Sequence, residues 1–423
     1  MAHKGLLIII DGLGDVGSPV LLGKTPLEAA VTPNLDQLAS GGSCGLVDPL
    51  YPGLPVGTHT GAGVLMGLAP ADASRLARGP VEAAGIGLDV QHGDVLLRCN
   101  FATLVDEGNA LRIRDRRAGR IREGTDALAD VLADVPLGDG ISGHLYPATH
   151  HRAVLVLRGS GLSGEVTDTD PGAGRRALGV VAAKALDFDD VASQRTAIAV
   201  NRFIREAHDR LTGHPLNMAR ESRGLLPANG IITRGAGTAR ALRNLVTLLG
   251  LEASVITGER TVEGLGRLFG FRVVTDPAFT ALPRTDLAGK LAAAVAELAT
   301  RDLVFLHIKG PDICSHDRDP QGKKACLERI DQSLSRLKLP ELVIGVTGDH
   351  STDSNRGRHS GDPVPCLLSA PNGRRDAVTA FGEGDCEVGA LGRIPSTAFL
   401  ISLLNAMGAI GNYQPSWRRL LFS

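Results

Sequence analysis

Short apolar runs, each followed by polar residues, are the recurrent pattern along the chain. Three such runs span residues 6–10, 303–308 and 342–347. A continuous apolar run, unlike an alternating one, is typical of a strand covered on both faces of a parallel sheet. Between the runs, residues 287–298 are rich in helix formers, and Thr32-Pro33 offers an N-cap followed by proline at the first helical position. The pattern therefore predicts an α/β fold with a mostly parallel sheet flanked by helices.

The middle of the chain has a different character. Residues 76–290 carry many arginines and several histidines, with strand candidates of their own at 153–157 and 230–233. The candidate site residues described below lie mainly on both sides of this region. We therefore predict a core made of residues 1–75 and 291–423, with a smaller α/β substrate-binding domain, residues 76–290, inserted between its two parts.

Composition narrows the class of protein. The 423 residues include 45 basic and 46 acidic side chains, a formal charge of −1, which favours neither a nucleic acid nor a membrane surface as partner. No run approaches the roughly 18 apolar residues of a membrane span, and the first apolar run ends at Asp11, unlike a secretory signal. The six cysteines are scattered without a CxxC pair. We expect a cytoplasmic protein with reduced thiols.

Residues that ligate divalent cations follow the three predicted strands. In a parallel sheet, ligands bind beyond the carboxyl ends of the strands. Carboxylate and imidazole groups are ligands that Zn and Mn accept, and an aspartate and histidine four apart share one helix face. Taken singly, each residue could instead cap a turn or hydrogen-bond a loop. The candidates are Asp11, Asp312, His316, Asp349, His350 and His359.

Thr58 is a candidate nucleophile in a glycine-rich turn. Gly57 precedes it, and Gly61 and Gly63 follow. A hydroxyl in such a turn can project into a site, and the amides of a following helix can stabilise an anionic oxygen. Binding to a metal would lower the pKa of the hydroxyl and make it nucleophilic. The alternative is that Thr58 and Thr60 only cap that helix.

Residues 12–17 match the GxGxxG pattern of dinucleotide-binding proteins. Asp11 and Asp15 place negative charge where a pyrophosphate would lie. The next segment, SPVLLGKTP, contains two prolines and offers no good helix N-terminus. This context argues against a nicotinamide-dependent oxidoreductase.

The segments DGLGD, VGTHTG, PDICSHD, TGDHST and RHSGDPVP, in this order, resemble the alkaline-phosphatase superfamily. Within it, the chain is most similar to the cofactor-independent phosphoglycerate mutases of the archaeal type. The resemblance extends over nearly the whole chain and includes middle segments such as RDRRAGRI, HHRAVLVLRG and LPANGIITRGAG. It implies an alkaline-phosphatase-like core with an inserted cap domain.

The resemblance also implies a two-metal site and a reaction. One ion would be held by Asp312, His316 and His359. The other would be held by Asp11, Asp349, His350 and the nucleophile Thr58. The ions implied are Mn or Zn, with Mg or Co possible. The implied reaction is the interconversion of 3-phosphoglycerate and 2-phosphoglycerate through a phospho-threonine.

The active turn departs from the family pattern at three places. Thr58 stands where these mutases usually have serine, and His59 stands where they usually have aspartate. Residues 67–70 read GLAP in place of GYDP. These departures leave an alternative open, in which the protein is a phosphatase, phosphonate hydrolase or phosphotransferase acting on another small phosphorylated or phosphonylated acid. A non-catalytic member that binds metal or a phosphorylated metabolite is a further alternative.

The arginines of the middle region are candidates for binding a small phosphorylated carboxylic acid. Their guanidinium groups bind phosphate and carboxylate through two parallel hydrogen bonds. A charged run such as RDRRAGR is more often a solvated surface, but the resemblance places similar arginines in a substrate-binding cap. The substrate-binding candidates are Arg116, Arg117, Arg120, Arg152, Arg220, Arg234 and Lys309. The acid–base candidates are His151 and Asp168, with Asp115 and Asp170 as alternatives.

Overall fold

A computed structural model describes residues 3–108, 110–172, 179–238, 242–337, 341–412 and 414. The chain divides into two compact units. The first contains the described residues up to Leu76 and from Leu242 onward, and the second contains those between Ala77 and Ala241. Every helix in the described part of the chain is too short or too polar to cross a membrane.

The described residues form strands that we number in chain order. The strands are β1 (Gly5–Ile10), β2 (Ser43–Asp48), β3 (Val95–Asp106), β4 (Leu111–Asp115), β5 (Val135–Gly138), β6 (Ile141–Pro147), β7 (Arg152–Arg158), β8 (Gly230–Thr238), β9 (Ala253–Ile256), β10 (Arg272–Val274), β11 (Leu303–Ile308), β12 (Val343–Thr347), β13 (Ser351–Asp353), β14 (Arg358–Ser360), β15 (Val364–Ser369) and β16 (Gly392–Pro395).

The helices are numbered in the same way, with a short 3₁₀ turn at Pro19–Leu21. They are α1 (Pro26–Ala29), α2 (Pro33–Ser40), α3 (Thr58–Leu65), α4 (Pro70–Ser74), α5 (Arg78–Gly85), α6 (Thr125–Asp130), α7 (Val191–Thr212), α8 (Pro215–Ser222), α9 (Leu245–Leu248), α10 (Arg260–Leu268), α11 (Leu287–Leu298), α12 (Gly310–His316), α13 (Pro320–Leu334), α14 (Glu383–Glu387) and α15 (Ser396–Ala406).

The first unit is built on a sheet in the order β10-β9-β11-β1-β12-β15-β2-β16. Its first five strands run parallel, and β15 is antiparallel to both of its neighbours. Strands β1, β11 and β12 are buried along their whole length. This arrangement confirms the predicted α/β class and the interpretation of the continuous apolar runs as doubly covered strands.

Two helices that the sequence predicted are present. Helix α11 spans the expected residues, and Asp286 caps it by accepting a hydrogen bond from Gly289 N at 2.9 Å. Helix α2 begins at Pro33 as predicted, but the Thr32 side chain makes no capping hydrogen bond. Proline at the first helical position therefore marks this start, since its fixed φ already suits a helix.

The predicted extent of the inserted domain is wrong at its C-terminal end. The predicted boundary was residue 290, whereas the second unit ends at Ala241. Strands β9 and β10 lie beyond that point and pair in parallel with the sheet of the first unit, β9 with β11 and β10 with β9. Residues 242–290 therefore belong to the core, because their backbone hydrogen bonds complete its sheet edge.

The second unit contains an antiparallel sheet in the order β4-β3-β7-β6-β5, with β8 also paired to β3. The predicted strands at 153–157 and 230–233 are confirmed as parts of β7 and β8. One face of this sheet buries Phe101 and Leu155 in a core that includes Phe203 of α7. Leu96 and Val154 cluster separately with residues of α5.

Candidate functional site

The predicted metal-ligand residues converge at one edge of the large sheet. Strand β1 lies between β11 and β12, parallel to both, so the residues that follow these three strands emerge side by side. Asp11 follows β1, α12 follows β11, and Asp349 and His350 follow β12. The structure brings together all seven predicted residues, namely Asp11, Thr58, Asp312, His316, Asp349, His350 and His359.

Two histidines and an aspartate form the first group. His316 Nε2 lies 3.2 Å from His359 Nε2, and these atoms lie 3.5 and 3.7 Å from the carboxylate oxygens of Asp312. Each Nδ1 donates to a backbone carbonyl, of Gly357 at 2.9 Å and of Val56 at 2.7 Å. In the neutral rings both Nε2 lone pairs therefore face each other and the carboxylate, an arrangement that a shared cation stabilises.

Burial and the charge on His350 lower the pKa of His359 to about 4. The imidazole of His359 is therefore neutral at physiological pH, which is the form that binds a metal.

The second group surrounds the Thr58 hydroxyl. Thr58 Oγ1 lies 3.4 Å from Asp11 Oδ2 and 3.4 Å from His350 Nε2. His350 Nε2 lies 3.3 Å from Asp11 Oδ1 and 3.5 Å from Asp349 Oδ2. Burial and the neighbouring Asp11 raise the pKa of Asp349 to about 6. Negative charge is thus concentrated where the hydroxyl points.

The glycine-rich turn allows Thr58 to reach this position. Gly57 is the N-cap residue of α3, and Thr58 is the first residue of the helix. No side chain makes a capping hydrogen bond there, so the alternative role of Thr58 and Thr60 as caps is not supported. A Cβ on Gly61 would overlap the carbonyl oxygen of Asp349, whereas one on Gly63 would meet nothing closer than 3.6 Å. Gly61 therefore permits the close approach of α3 to the metal-ligand residues.

Lys309, predicted to bind substrate phosphate, lies among the carboxylates. Its Nζ is 3.0 Å from Asp11 Oδ1, 2.7 Å from Asp312 Oδ2 and 3.0 Å from Thr58 Oγ1. Burial alone would lower the pKa of Lys309, but the charges of Asp11 and Asp312 raise it above the ordinary lysine value. The ammonium group therefore neutralises part of the charge of the site.

The donor set fits divalent cations. It combines three buried carboxylates with imidazole nitrogens and a hydroxyl, which are ligands for Zn and Mn. Asp349 Oδ2 is buried and accepts no hydrogen bond. Asp312 Oδ2 also accepts none of good geometry, although Lys309 Nζ lies 2.7 Å away. Buried carboxylate oxygens without donors are costly unless a cation binds them.

A second cluster lies on one face of the sheet in the other unit. Arg98 of β3 is directly opposite Arg234 of β8, and Asn100, two residues along β3, is opposite Arg152 of β7. Residues two apart on a strand share a face, so the three arginines project from the same side. Glu82 of α5 lies 3.3 Å from Arg98.

Two aspartates organise the rim of this arginine cluster. Asp170 forms ion pairs with Arg116 and, at 3.1 Å, with Arg234. Asp168 accepts a hydrogen bond from Gly235 N at 2.7 Å, next to Arg234. The predicted residues Arg116, Arg234 and Asp168, with the alternative Asp170, therefore lie close together.

The pKa values of two groups in the cluster reflect their burial and the neighbouring arginine charges. Burial and neighbouring arginines lower the pKa of Arg98 to about 10, against the opposing effect of Glu82. Burial, together with the charges of Arg152 and Arg117, lowers the pKa of His151 to about 4. A bound anion would relieve this repulsion, so the cluster suits a phosphate or carboxylate.

Two predicted arginines stand apart from this pattern. Arg220 donates from Nε to Leu226 O at 2.9 Å and from Nη2 to Ala118 O at 3.0 Å, so two of its nitrogens hold the backbone. Arg120 is exposed and has a φ of 58°, in the left-handed region. Neither observation connects these side chains to the arginine cluster.

Comparison with known proteins identifies the family. A sequence model described as 2,3-bisphosphoglycerate-independent phosphoglycerate mutase matches residues 39–217. A mutase of this name from Methanopyrus kandleri is 40% identical over 417 residues, covering 96% of each chain. One from Methanothermobacter thermautotrophicus is 39% identical over 407 residues, covering 96% of this chain and 98% of the relative. The chain belongs to this mutase family.

Solved structures agree with this assignment. The PH0037 protein from Pyrococcus horikoshii is 32% identical, with a TM-score of 0.82 over 98% of this chain and all of the other. A cofactor-independent phosphoglycerate mutase from Thermoplasma acidophilum is 31% identical, with a TM-score of 0.68 over 96% of this chain and all of the other. The family resemblance inferred from the motifs is therefore confirmed.

The sequence did not single out several residues that this mutase-family chain places at the two clusters. His307 Nε2 donates to Asp11 Oδ2 at 3.0 Å, and its Nδ1 lies 3.2 Å from Thr257 Oγ1. A histidine inside the otherwise apolar run LVFLHI is the signal that could have revealed it. Arg78 and Arg98 were also missed, although both carry charge into buried surroundings.

Proposed function

We propose that the protein interconverts 3-phosphoglycerate and 2-phosphoglycerate by transferring the phosphoryl group through Thr58. The observation that carries this proposal is the position of Thr58 Oγ1, within 3.4 Å of Asp11, His350 and Lys309 in a chain of the mutase family. The proposal applies to this chain the activity that names its relatives.

We further propose that two divalent cations act in the site, Mn or Zn, with Mg or Co as alternatives. Asp312, His316 and His359 would hold one, and Asp11, Asp349, His350 and Thr58 would hold the other. When bound, such ions screen phosphate charge and lower the pKa of a coordinated hydroxyl. On affinity alone, the Irving–Williams order favours Zn over Mn.

The chain's own groups have separate roles in the transfer. Thr58 Oγ1 gives up its proton and forms a bond to phosphorus, while the bond from phosphorus to the glycerate oxygen breaks and that oxygen takes up a proton to become a hydroxyl. The N-terminal amides of α3 and the Lys309 ammonium, 3.0 Å from Oγ1, stabilise the anionic oxygen. In the return step the other glycerate hydroxyl loses its proton and forms a bond to phosphorus, the bond from phosphorus to Thr58 Oγ1 breaks, and Oγ1 regains a proton.

The arginine cluster of the second unit would hold the glycerate moiety. We assign carboxylate and phosphate binding to Arg98, Arg152 and Arg234, together with Arg116 and Arg117. Burial and the nearby arginines lower the pKa of His151 to about 4, so its imidazole is neutral but weakly basic. A bound anion would offset the arginine charges and raise its basicity, which keeps His151 as an acid–base candidate for the glycerate hydroxyls. Asp168 is the other acid–base candidate. Arg120 and Arg220, predicted from the sequence, have weaker support.

We propose a cytoplasmic location for this reaction. The six cysteines are buried and unpaired, which supports a reducing compartment.

A phosphatase acting on a small phosphorylated acid is the second candidate function. The observation that favours it is the Thr58-His59 pair, since a changed nucleophile and neighbour alter the surroundings in which a phospho-threonine must survive. The two functions share the first step and differ in whether glycerate or water accepts the phosphoryl group.

The test is to incubate the metal-restored protein with 3-phosphoglycerate and to follow 2-phosphoglycerate and free phosphate together. The mutase proposal expects 2-phosphoglycerate without net phosphate release, retained in Thr58→Ser and lost in Thr58→Ala. Thr60→Ala is the matched control, because Thr60 is equally buried on the same helix but outside the ligand set. Phosphate release in place of 2-phosphoglycerate would favour the phosphatase. Full activity of Thr58→Ala would refute the role of Thr58 in both.

A further inference from the structure

Asp15, the last residue of the DGLGD motif, has no part in the site described above. Its carboxylate is fully buried and lies 2.8 Å from the equally buried ammonium of Lys323, on α13. A buried ion pair is costly to desolvate and often contributes no more stability than an apolar pair of similar shape. The role of the Asp15–Lys323 pair is therefore to be found in the groups it contacts, and not in the stability it contributes.

The pair joins two segments that are distant in sequence. Lys323 Nζ donates to Gly14 O at 3.2 Å, on the segment after β1, and to Thr352 O at 3.2 Å, on β13. Asp15 Oδ1 accepts a hydrogen bond from Ser354 N at 3.0 Å. Lys323 on α13 thus binds both segments, and Asp15 on the first segment binds the backbone just after β13.

Both segments carry residues of the metal site. Asp11 lies three positions before Gly14. On β13, Thr352 Oγ1 donates to Asp312 Oδ1 at 2.8 Å, and so accepts from His350 Nδ1, 3.1 Å away. These contacts fix the carboxylate of Asp312 and the ring of His350, whose Nε2 lies 3.3 Å from Asp11 Oδ1.

The two segments are packed too closely to move independently. Thr352 N donates to Gly14 O at 2.9 Å, the same oxygen that accepts from Lys323. A Cβ on Gly14 would overlap Ser351 Oγ. A shift of either segment is therefore transmitted to the other, and hence to the ligands on both.

We propose that Lys323 and Asp15 are positioning residues of the metal centre. They set the spacing between Asp11 and the two candidate ligands that Thr352 contacts, His350 and Asp312. This inference rests on the proposed metal site. The ammonium of Lys323 is satisfied by Asp15 and two carbonyls, so it supports the geometry of the ligands without neutralising any of them. Residues that hold metal ligands in place without binding the metal typically change metal affinity about 10–100-fold when they are altered.

The test measures binding of Mn²⁺ alone by titration calorimetry on the full chain. The variant is Lys323→Met combined with Asp15→Asn, which removes both charges, keeps the side-chain shapes and leaves no unpaired buried ion. The control combines Arg393→Met with Asp48→Asn, because this ion pair has contacts of similar length, at 2.8 and 2.9 Å, but joins β16 to β2 away from the ligands.

We expect the Lys323–Asp15 variant to bind Mn²⁺ about 10–100-fold more weakly than the wild type, with unchanged far-ultraviolet circular dichroism. Mutase activity should return at saturating Mn²⁺, which a misfolded protein would not show. The control pair should bind Mn²⁺ with wild-type affinity. If the wild type itself binds no Mn²⁺, the proposed metal site fails, which is a different outcome from failure of the positioning role.

Wild-type affinity in a folded double variant would overturn the proposal. If the double variant does not fold, Asp15→Asn alone is the second variant, since it keeps an acceptor oxygen for Ser354 N and leaves the Lys323 ammonium its two carbonyl acceptors, Gly14 O and Thr352 O. It should still bind Mn²⁺ more weakly than the wild type. If neither variant folds, the pair is a requirement for folding and the positioning role is rejected.

Discussion

Replacing Lys309 with methionine should destabilise the metal-free protein strongly and the metal-loaded protein much less. The Lys309 side chain is only 11% exposed, and its Nζ contacts the buried carboxylates of Asp11 and Asp312 at 3.0 and 2.7 Å. Methionine keeps the length of the side chain but leaves both carboxylates without their closest cation. Bound divalent cations would supply the missing positive charge.

The magnitude follows from burial. Removing one partner of a buried ion pair costs about 3–5 kcal/mol. For a domain of 150–250 residues, each kcal/mol shifts the midpoint by about 2–4 °C, so the loss in chelator should be roughly 6–20 °C. Because the pKa of Lys309 is raised on folding, its stabilising contribution is complete below the unfolded-state lysine pKa and is lost only as pH rises through the higher folded value. A measurement at pH 7 therefore captures the whole effect.

The assay is thermal unfolding in chelator and again with saturating Mn²⁺, for the wild type and for Lys309→Met. Mn²⁺ should raise the midpoint of the variant by more than that of the wild type. Lys324→Met is the control, because Lys324 pairs with Glu328 on α13 where both side chains are still about 30% exposed, and an ion pair in contact with solvent contributes about 1 kcal/mol or less. This electrostatic account is refuted if Lys309→Met unfolds in chelator at the same midpoint as the wild type. It is also refuted if Mn²⁺ raises the midpoints of both proteins equally.

Three further predictions concern the two units separately. Arg98→Met should raise the KM for 3-phosphoglycerate about 10–100-fold, since a hydrogen bond to a charged group contributes about 1.5–3 kcal/mol; steady-state kinetics with an unchanged KM would contradict this. His151 should titrate near pH 4 in phosphate-free buffer because of burial and nearby arginines, as followed by NMR. Since its folded pKa is depressed, the wild type should lose stability between about pH 6.5 and 4 relative to His151→Gln, and parallel unfolding curves in that range would count against the shift. Gly61→Ala should destabilise the protein by about 1–3 kcal/mol through overlap with the carbonyl of Asp349, whereas Gly63→Ala on the same helix should be neutral or stabilising in denaturant unfolding.

The convergence of the candidate metal-ligand residues could be predicted because sequence order reports their location in a parallel sheet. Asp11 and Asp349 each follow an apolar run, and each run is a buried strand next to the other. Once the strands are recognised, their carboxyl ends must meet at one edge. Thr58 required more information, since its position depends on the close approach of Gly61 to the Asp349 backbone.

The domain boundary and the arginine cluster could not be predicted in the same way. Strands β9 and β10 contain only four and three residues, too few for a periodic signal, and their assignment depends on pairing with β11. The opposition of Arg98 and Arg234 depends on strand register, which an arginine count does not reveal. For the same reason the sequence-based candidates included Arg220, whose guanidinium group instead binds backbone carbonyls.

The convergence of strand ends also explains why the proposed metal site would be stabilised by cations. Three buried carboxylates, of Asp11, Asp312 and Asp349, share one small region, and Lys309 approaches only two of them closely. This excess of carboxylates over cations is reflected in the pKa of Asp349, which burial and the charge of Asp11 raise to about 6. Stability alone would favour apolar side chains at these positions, because uncompensated buried charge destabilises a fold. Divalent cations would offset that cost, and a phosphoryl group bound to the same cations would then meet Thr58 at the end of α3.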